Sequence, residues 1–392
     1  MKKEMEDQSV LIFISMLISI SFLLTGCFSQ TDMVKARASF AEKASGNIKI
    51  GVVWPISELK SDTGFVNGAQ MAIEEINSNN GVQGRLLEAK VMDEKRSFRE
   101  GILSAQEIAS QKDVAAVIGY WEPYISIPAA KIYDDSGLLF LSPAVSSDEL
   151  TKQGYDFVFR NTLSDYEMGS QMAEYIAKQG LSRAVIFYED DDYGKAVAKA
   201  FESKFIESGA SIVDRVTDFS NELEFEKAYE KWIALDYDAV FIVDSMPHAG
   251  VFLTRLRKVD EEVPIFAADG LDLEDLPTML GKVGEGLYVA TTYNNQDESE
   301  ISKSFRETYE SKFGIKADTW AVQGYDSIKL IAYTIDQAQG TDPFKLASTL
   351  HNTNNWNGVI GTISFDDAGN MTGKDILMKV IKDGRYQFIG HK

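Results

Sequence analysis

The residues that could run a reaction are few and scattered. His248, His351 and His391 lie far apart, and Cys27 is the only cysteine. They allow no zinc-like cluster and no internal disulfide. Asp190-Asp191-Asp192 is an acidic run without the spacing of an EF-hand calcium loop, and it reads as a solvated loop. No nucleophile elbow of the G-x-S-x-G kind and no phosphate-binding P-loop is present. The chain thus shows no catalytic set, no metal centre and no cofactor loop, and it reads as a non-enzyme. What remains is recognition chemistry. Trp121-Glu122-Pro123-Tyr124 gathers aromatic surface and a carboxylate, Trp54 follows an apolar run, and Ser142–Ser147 carries hydroxyls. Aromatic rings at strand ends serve as cleft walls or as hinge packing, and both readings stay open here.

The elements that must position these residues are visible in the hydrophobic pattern. Val114–Ile118 is a β-branched run broken at Gly119, Ser126–Asp135 has helical spacing, and Leu138–Leu141 is a second apolar run after Gly137. Continuous apolar runs alternating with helices predict parallel strands covered on both faces. In such sheets small ligands bind beyond the carboxyl ends of the strands. Those ends are Gly119–Ile125 and Ser142–Ser147.

The pattern extends in both directions. Upstream, Asn47–Val53 is a strand, Gly64–Asn77 an amphipathic helix, Leu86–Met92 a strand and Phe98–Ser110 a helix. Downstream, Tyr166–Lys178, Lys195–Ser208, Phe225–Ala234 and Val251–Lys258 read as helices between the strands Ala184–Tyr188, Ile212–Thr217, Ala239–Val243 and Pro264–Ala267. The rhythm runs twice, which predicts two α/β lobes. After Gly286–Ala290 come helices at Ser299–Phe313, Ala321–Gln337 and Asp342–Thr349, then a terminal hairpin around Asp383-Gly384.

Composition narrows the partners. The chain has 392 residues, 44% hydrophobic and 25% charged, with a formal net charge of −21. Phosphate recognition needs a basic face, so nucleic acid is not an expected partner. At the amino end Val10–Leu24 follows Lys2 and Lys3 and is short for a membrane span. It suits the apolar core of a secretion signal. Leu24-Thr25-Gly26-Cys27 resembles the bacterial lipoprotein cleavage box. That resemblance implies a signal peptide over 1–26, a mature chain starting at an acylated Cys27, and anchoring to a membrane at the cell envelope. Residues 27–46 then read as a polar tether.

From Asn47 onward the chain resembles the type I periplasmic binding proteins, and among them the branched-chain amino-acid receptors of ABC importers. The resemblance is carried by Asn67-Gly68-Ala69, Ile73-Glu74-Glu75-Ile76-Asn77, Gly81-Val82-Gln83-Gly84, Ser142-Pro143-Ala144, Asp192-Tyr193-Gly194, Asp269-Gly270 and Gly324-Tyr325-Asp326 in order. It implies two doubly wound parallel-sheet α/β lobes joined by three crossovers, near Asn161–Asp165, Thr291–Asn294 and Thr362–Phe365. Lobe 1 would comprise 47–163 and 292–363, and lobe 2 would comprise 164–291 and 364–392.

The same resemblance implies the pocket. Ala144 would offer a carbonyl and Ser146 a hydroxyl to the polar end of an amino acid; a helix cap is the other reading of Ser146. Tyr193 and the Asp269 carboxylate would come from lobe 2, with Asp269 balancing an ammonium. Ser245 stands where an aromatic is frequent. Pro123 replaces a serine, so one donor is lost or is supplied near Tyr124 or Ser126. Trp54, Trp121 and Tyr124 would add walls and Glu122 a second negative charge. The expected partners are a small zwitterionic or cationic solute and an ABC permease. An amide or urea receptor, or a ligand sensor of the same fold, is the alternative.

Overall fold

The computed structural model describes residues 30–59 and 64–390, and side chains from Met33 onward. The apolar run 10–24 and Cys27 lie outside the described residues. No helix among the described residues is long and apolar enough to cross a membrane.

The first element corrects the expected tether. Gln30–Ala41 is a helix, α1. Its Arg37 is only 2% exposed and donates to four backbone carbonyls, those of Ala109, Gln111, Val114 and Ser136, at 2.6–3.1 Å. Val34 packs against Gly137, whose φ is +62°. The segment is polar in composition, yet one guanidinium satisfies carbonyls left over at two helix ends, which holds the helix down.

Lobe 1 follows as β1 (Ile48–Trp54), α2 (Gly64–Ser78), β2 (Leu87–Asp93), α3 (Phe98–Ser110), β3 (Val114–Gly119), α4 (Pro123–Asp135), β4 (Leu139–Ser142) and β5 (Val158–Arg160). The five strands are parallel in the order β2-β1-β3-β4-β5. β3 is buried along its whole length, as its unbroken apolar run requires.

The chain crosses after β5. Lobe 2 contains α5 (Asp165–Lys178), β6 (Arg183–Tyr188), α6 (Asp192–Glu207), β7 (Ser211–Val216), α7 (Glu222–Ala234), β8 (Ala239–Val243), α8 (His248–Val259), β9 (Ile265–Ala267), α9 (Leu276–Leu280) and β10 (Leu287–Thr291). Its parallel strands run β7-β6-β8-β9-β10, repeating the order of lobe 1. The chain then returns for α10 (Glu300–Phe313), α11 (Thr319–Gln337) and α12 (Pro343–His351), with β11 (Trp356–Asn357), β12 (Thr362–Phe365) and β13 (Met371–Thr372). α11 crosses α2 closely: a Cβ on Gly68 would lie 2.0 Å from the Ala321 carbonyl. Finally β14 (Leu377–Lys382) and β15 (Arg385–Phe388) add antiparallel strands to the second sheet. Asp383 and Gly384 both have positive φ between them, the turn expected of that hairpin.

The third crossover falls later than the sequence suggested. β13 still pairs with β12, and Asn370 bridges Arg160 of β5. So 364–372 stays with lobe 1 instead of opening lobe 2. The passage occupies the next few residues, where Gln171 of α5 grips the Lys374 carbonyl at 3.0 Å and the Ile376 amide at 2.8 Å. Short polar strands beside a true crossover carry no pattern that separates the two.

Candidate functional site

In each sheet the strand order reverses beside the first strand, between β1 and β3 and between β6 and β8. A crevice opens at such a point, outside the carboxyl ends of the strands. Trp54 ends β1, and Trp121 lies two residues past β3. Gly119 permits the turn, because its φ is +132° and a Cβ would sit 1.9 Å from the Val53 carbonyl. Tyr120 then folds inward, its hydroxyl 2.8 Å from that of Tyr133. Trp121 turns the other way, against Trp54 and Trp320, with ring centroids 5.2 and 4.4 Å apart. Trp54 stacks on Phe65 at 4.0 Å and is fully buried. It therefore backs the wall, while the partly open Trp121 and Trp320 form its surface.

Glu122 and Tyr124 do not serve as expected. Glu122 accepts two bonds from Arg96, one at 2.7 Å, so its charge is already matched. The Tyr124 hydroxyl donates to the Arg96 carbonyl at 2.8 Å, and the ring is exposed. Both residues staple the loop after β3 to the loop after β2. Pro123 is the first residue of α4, where a missing N–H costs nothing. Three residues on, Ser126 is fully buried with an unpartnered hydroxyl.

The loop after β4 takes the cap role away from Ser146. Its neighbour Ser147 caps the short turn Asp148–Leu150, and the Ser146 hydroxyl lies close enough to pull the Asp165 carboxyl down. The Ser146 carbonyl accepts from Arg160 at 2.7 Å and from the Asp165 amide at 3.0 Å. Arg160 is itself 1% exposed, so the loop carrying half-buried Ala144 and Ser146 is held from below.

Lobe 2 supplies the rest. Tyr193 is the second residue of α6, positioned by the Asp191 cap, and its hydroxyl donates to Asp269 at 2.6 Å. Asp269 opens a tight turn directly after β9. The Asp269 carboxyl is raised above its usual range by burial, with Asp272 adding repulsion. Burial and the neighbouring Asp269 and Asp165 likewise push the Tyr193 phenol far up.

Asp165 is the residue sequence reasoning missed. It is 3% exposed, and its Oδ1 has no hydrogen-bond partner. Burial, with repulsion from Asp269 and Asp148, pushes it up to about 7 against the opposing pull of Ser146 and Arg160. Its signal was an acid at the first crossover, concealed because acids are ordinary at helix starts. Ser146, Asp165, Asp269 and Tyr193 thus form one interacting set drawn from both lobes. Ser245 stands apart from them, exposed, its hydroxyl donating to Glu189 at 3.1 Å.

Among the described residues neither Asp165 nor Asp269 has an ion-pair partner within 4 Å, and Arg160 acts on Asp165 only from a distance. Arg160 is turned toward carbonyls, so a guest ammonium with three donors would complete the set. Concavities of about 580 Å³ beside Trp356 and about 650 Å³ beside Tyr175 contain none of these four residues.

Fold and site together define a two-lobed solute-binding protein. The periplasmic binding protein family matches residues 47–385, and the chain belongs to that family. It is 25% identical over 356 residues to the Leu/Ile/Val-binding protein of Escherichia coli, covering 90% of this chain and 93% of the relative. The structure of an ABC transporter substrate-binding protein from Desulfitobacterium hafniense, in complex with Leu, is 38% identical. It superposes with a TM-score of 0.79 over 88% of this chain and 100% of the other. A branched-chain amino acid transporter substrate binding protein from Streptococcus pneumoniae, in complex with isoleucine, is 26% identical with a TM-score of 0.72, covering 88% and 99%. These relatives are binding proteins, in keeping with a chain that shows no nucleophile–base motif.

Proposed function

We propose that the protein is the extracytoplasmic receptor of an ABC importer, taking a branched-chain or related amino acid between its lobes. The observation that carries this is Asp165: a buried carboxyl whose Oδ1 has no partner among the described residues, tied through its backbone amide to the Ser146 carbonyl of lobe 1 and repelled by Asp269 of lobe 2. An ammonium placed there touches both lobes at once, so the guest favours the closed form. Trp121 and Trp320 suit an apolar side chain. An amide or urea brings no ammonium and leaves the two carboxyls facing each other, which disfavours that alternative. In this reading Cys27 carries the acyl chains that hold the receptor to the membrane, and a permease with its ATPase receives the solute.

The test is calorimetry with leucine and with 4-methylpentanoate, which has the same carbon chain and carboxylate but no ammonium. Leucine binds and the deaminated acid is weaker by at least about 100-fold, as expected for a lost buried charge-assisted bond. Equal binding of the two would refute the assignment.

A further inference from the structure

The loop after β2 and the loop after β3 are fastened at three places. Two are the surface contacts already described, Arg96 with Glu122 and the Tyr124 hydroxyl with the Arg96 carbonyl. The third is buried. Glu94 is 0% exposed, and its Oε1 accepts the Trp121 amide at 3.0 Å. Its own amide donates to the Trp54 carbonyl at 3.2 Å, and its carbonyl accepts from Ser97 at 2.9 Å. One carboxyl-bearing residue therefore ties the backbone beside Trp54 to the backbone of Trp121.

The conformation it holds is costly. Lys95, Arg96 and Tyr120 all have left-handed φ, at 53°, 47° and 65°. Non-glycine residues keep such angles only where neighbouring contacts over-determine them. Around Tyr120 and Trp121 those contacts are the Glu94 acceptor, the Tyr120 amide on the Val53 carbonyl at 2.8 Å, and the inward-turned Tyr120 phenol.

We propose that Glu94 is a positioning residue of the solute site, holding the 119–124 loop through the Trp121 amide so that the Trp121 ring forms the wall for the guest's side chain. This rests on the reading of the strand ends as the solute site. The other oxygen, Glu94 Oε2, has no partner among the described residues and lies by Gly101 and Ile125, so the Trp121 amide is the contact its side chain makes. The groups facing it are Asp93 and Arg96 from its own loop, Glu122 from the start of α4, and the phenols of Tyr120 and Tyr133. Burial, with Glu122 and Asp93, pushes its carboxyl up to about 7, while the Trp121 amide and Arg96 pull the other way. Its proton therefore comes and goes near neutrality. The carboxylate accepts the Trp121 N–H more strongly than the acid does, so the setting of Trp121 follows the proton.

The experiment has two parts, both on the full chain. In the unliganded protein, tryptophan emission is followed from pH 5.5 to 8.5. Wild type shows a transition centred near 7, which Glu94→Gln and Trp121→Phe abolish. It persists in Asp165→Asn and in Asp326→Asn, which control for the acids held up to about 7 and about 6, the second of them close to Trp356. A transition unchanged in Glu94→Gln would overturn the proposal. At pH 8, leucine and glycine binding are then compared by calorimetry. Glu94→Met weakens leucine about tenfold and glycine little, whereas Glu94→Gln, which keeps an acceptor, costs about twofold. Asp165→Asn weakens both alike. A folded Glu94→Met protein with wild-type leucine selectivity would equally overturn it. Where Glu94→Met fails to fold, the Glu94→Gln emission result decides. If wild type binds neither amino acid, the receptor reading falls, and the emission titration still judges Glu94.

Discussion

The two rims of the cleft are built on the same strand order and filled with opposite chemistry. On lobe 1 the surface charge beside the wall is matched, Glu122 by Arg96, and what faces the cleft is indole. On the other rim charge is left crowded: Asp269 raises the cost of ionising Asp165, Asp272 does the same to Asp269, and Arg160, which eases Asp165, is turned toward carbonyls. The contrast assigns tasks. In the proposed receptor, lobe 1 would set shape through Trp121 and Trp320, while the carboxyl set would fix one polar group of the guest. Orientation and side-chain selectivity are thereby separable, and either can change without rebuilding the other.

Breaking the polar rim should cost most. Asp269→Asn removes the carboxylate while keeping an acceptor for Tyr193. We expect leucine affinity to fall about 100-fold by calorimetry, the scale of a lost buried charge-assisted bond. Affinity retained within a few-fold would move the ammonium elsewhere. Next in size is pH. Asp165 is held up to about 7, and an ammonium binds its carboxylate. Affinity therefore weakens as pH falls below 7, by up to about tenfold per unit for one linked proton. The unliganded protein shows the reverse sign. A carboxyl raised on folding contributes most below its ordinary range, and that contribution is lost as pH rises toward 7. Melting curves with and without leucine should thus diverge as pH increases, and parallel curves would refute the coupling. The smallest effect sharpens the comparison from the other side. Glu122→Gln should change leucine affinity less than about twofold, because the pair with Arg96 is partly exposed and weak. A tenfold loss would place Glu122 in the pocket after all.

Both sheets were legible because buried parallel strands write unbroken apolar runs, as in Val114–Ile118 and Ala239–Val243. Ser146, Tyr193 and Asp269 were expected through resemblance, and the structure places them in one neighbourhood with Asp165. Other features depend on contacts between distant segments. Glu122 finds Arg96 only because Lys95 and Arg96 turn left-handed, which nothing in their side chains announces. Asp165 has the composition of any helix start. Arg37 is one cation in a polar stretch until four carbonyls converge on it.

That last contact bears on how the molecule moves. α1 is keyed into one half of the protein, against α4 and α12 of lobe 1. Any pull arriving from the residues before it is delivered to that half without crossing the hinge. Were the chain moored at Cys27 as proposed, lobe 1 would stay put like a dock and lobe 2 would do the travelling. A permease sensing whether the receptor is loaded would then need to feel for the position of a single swinging body.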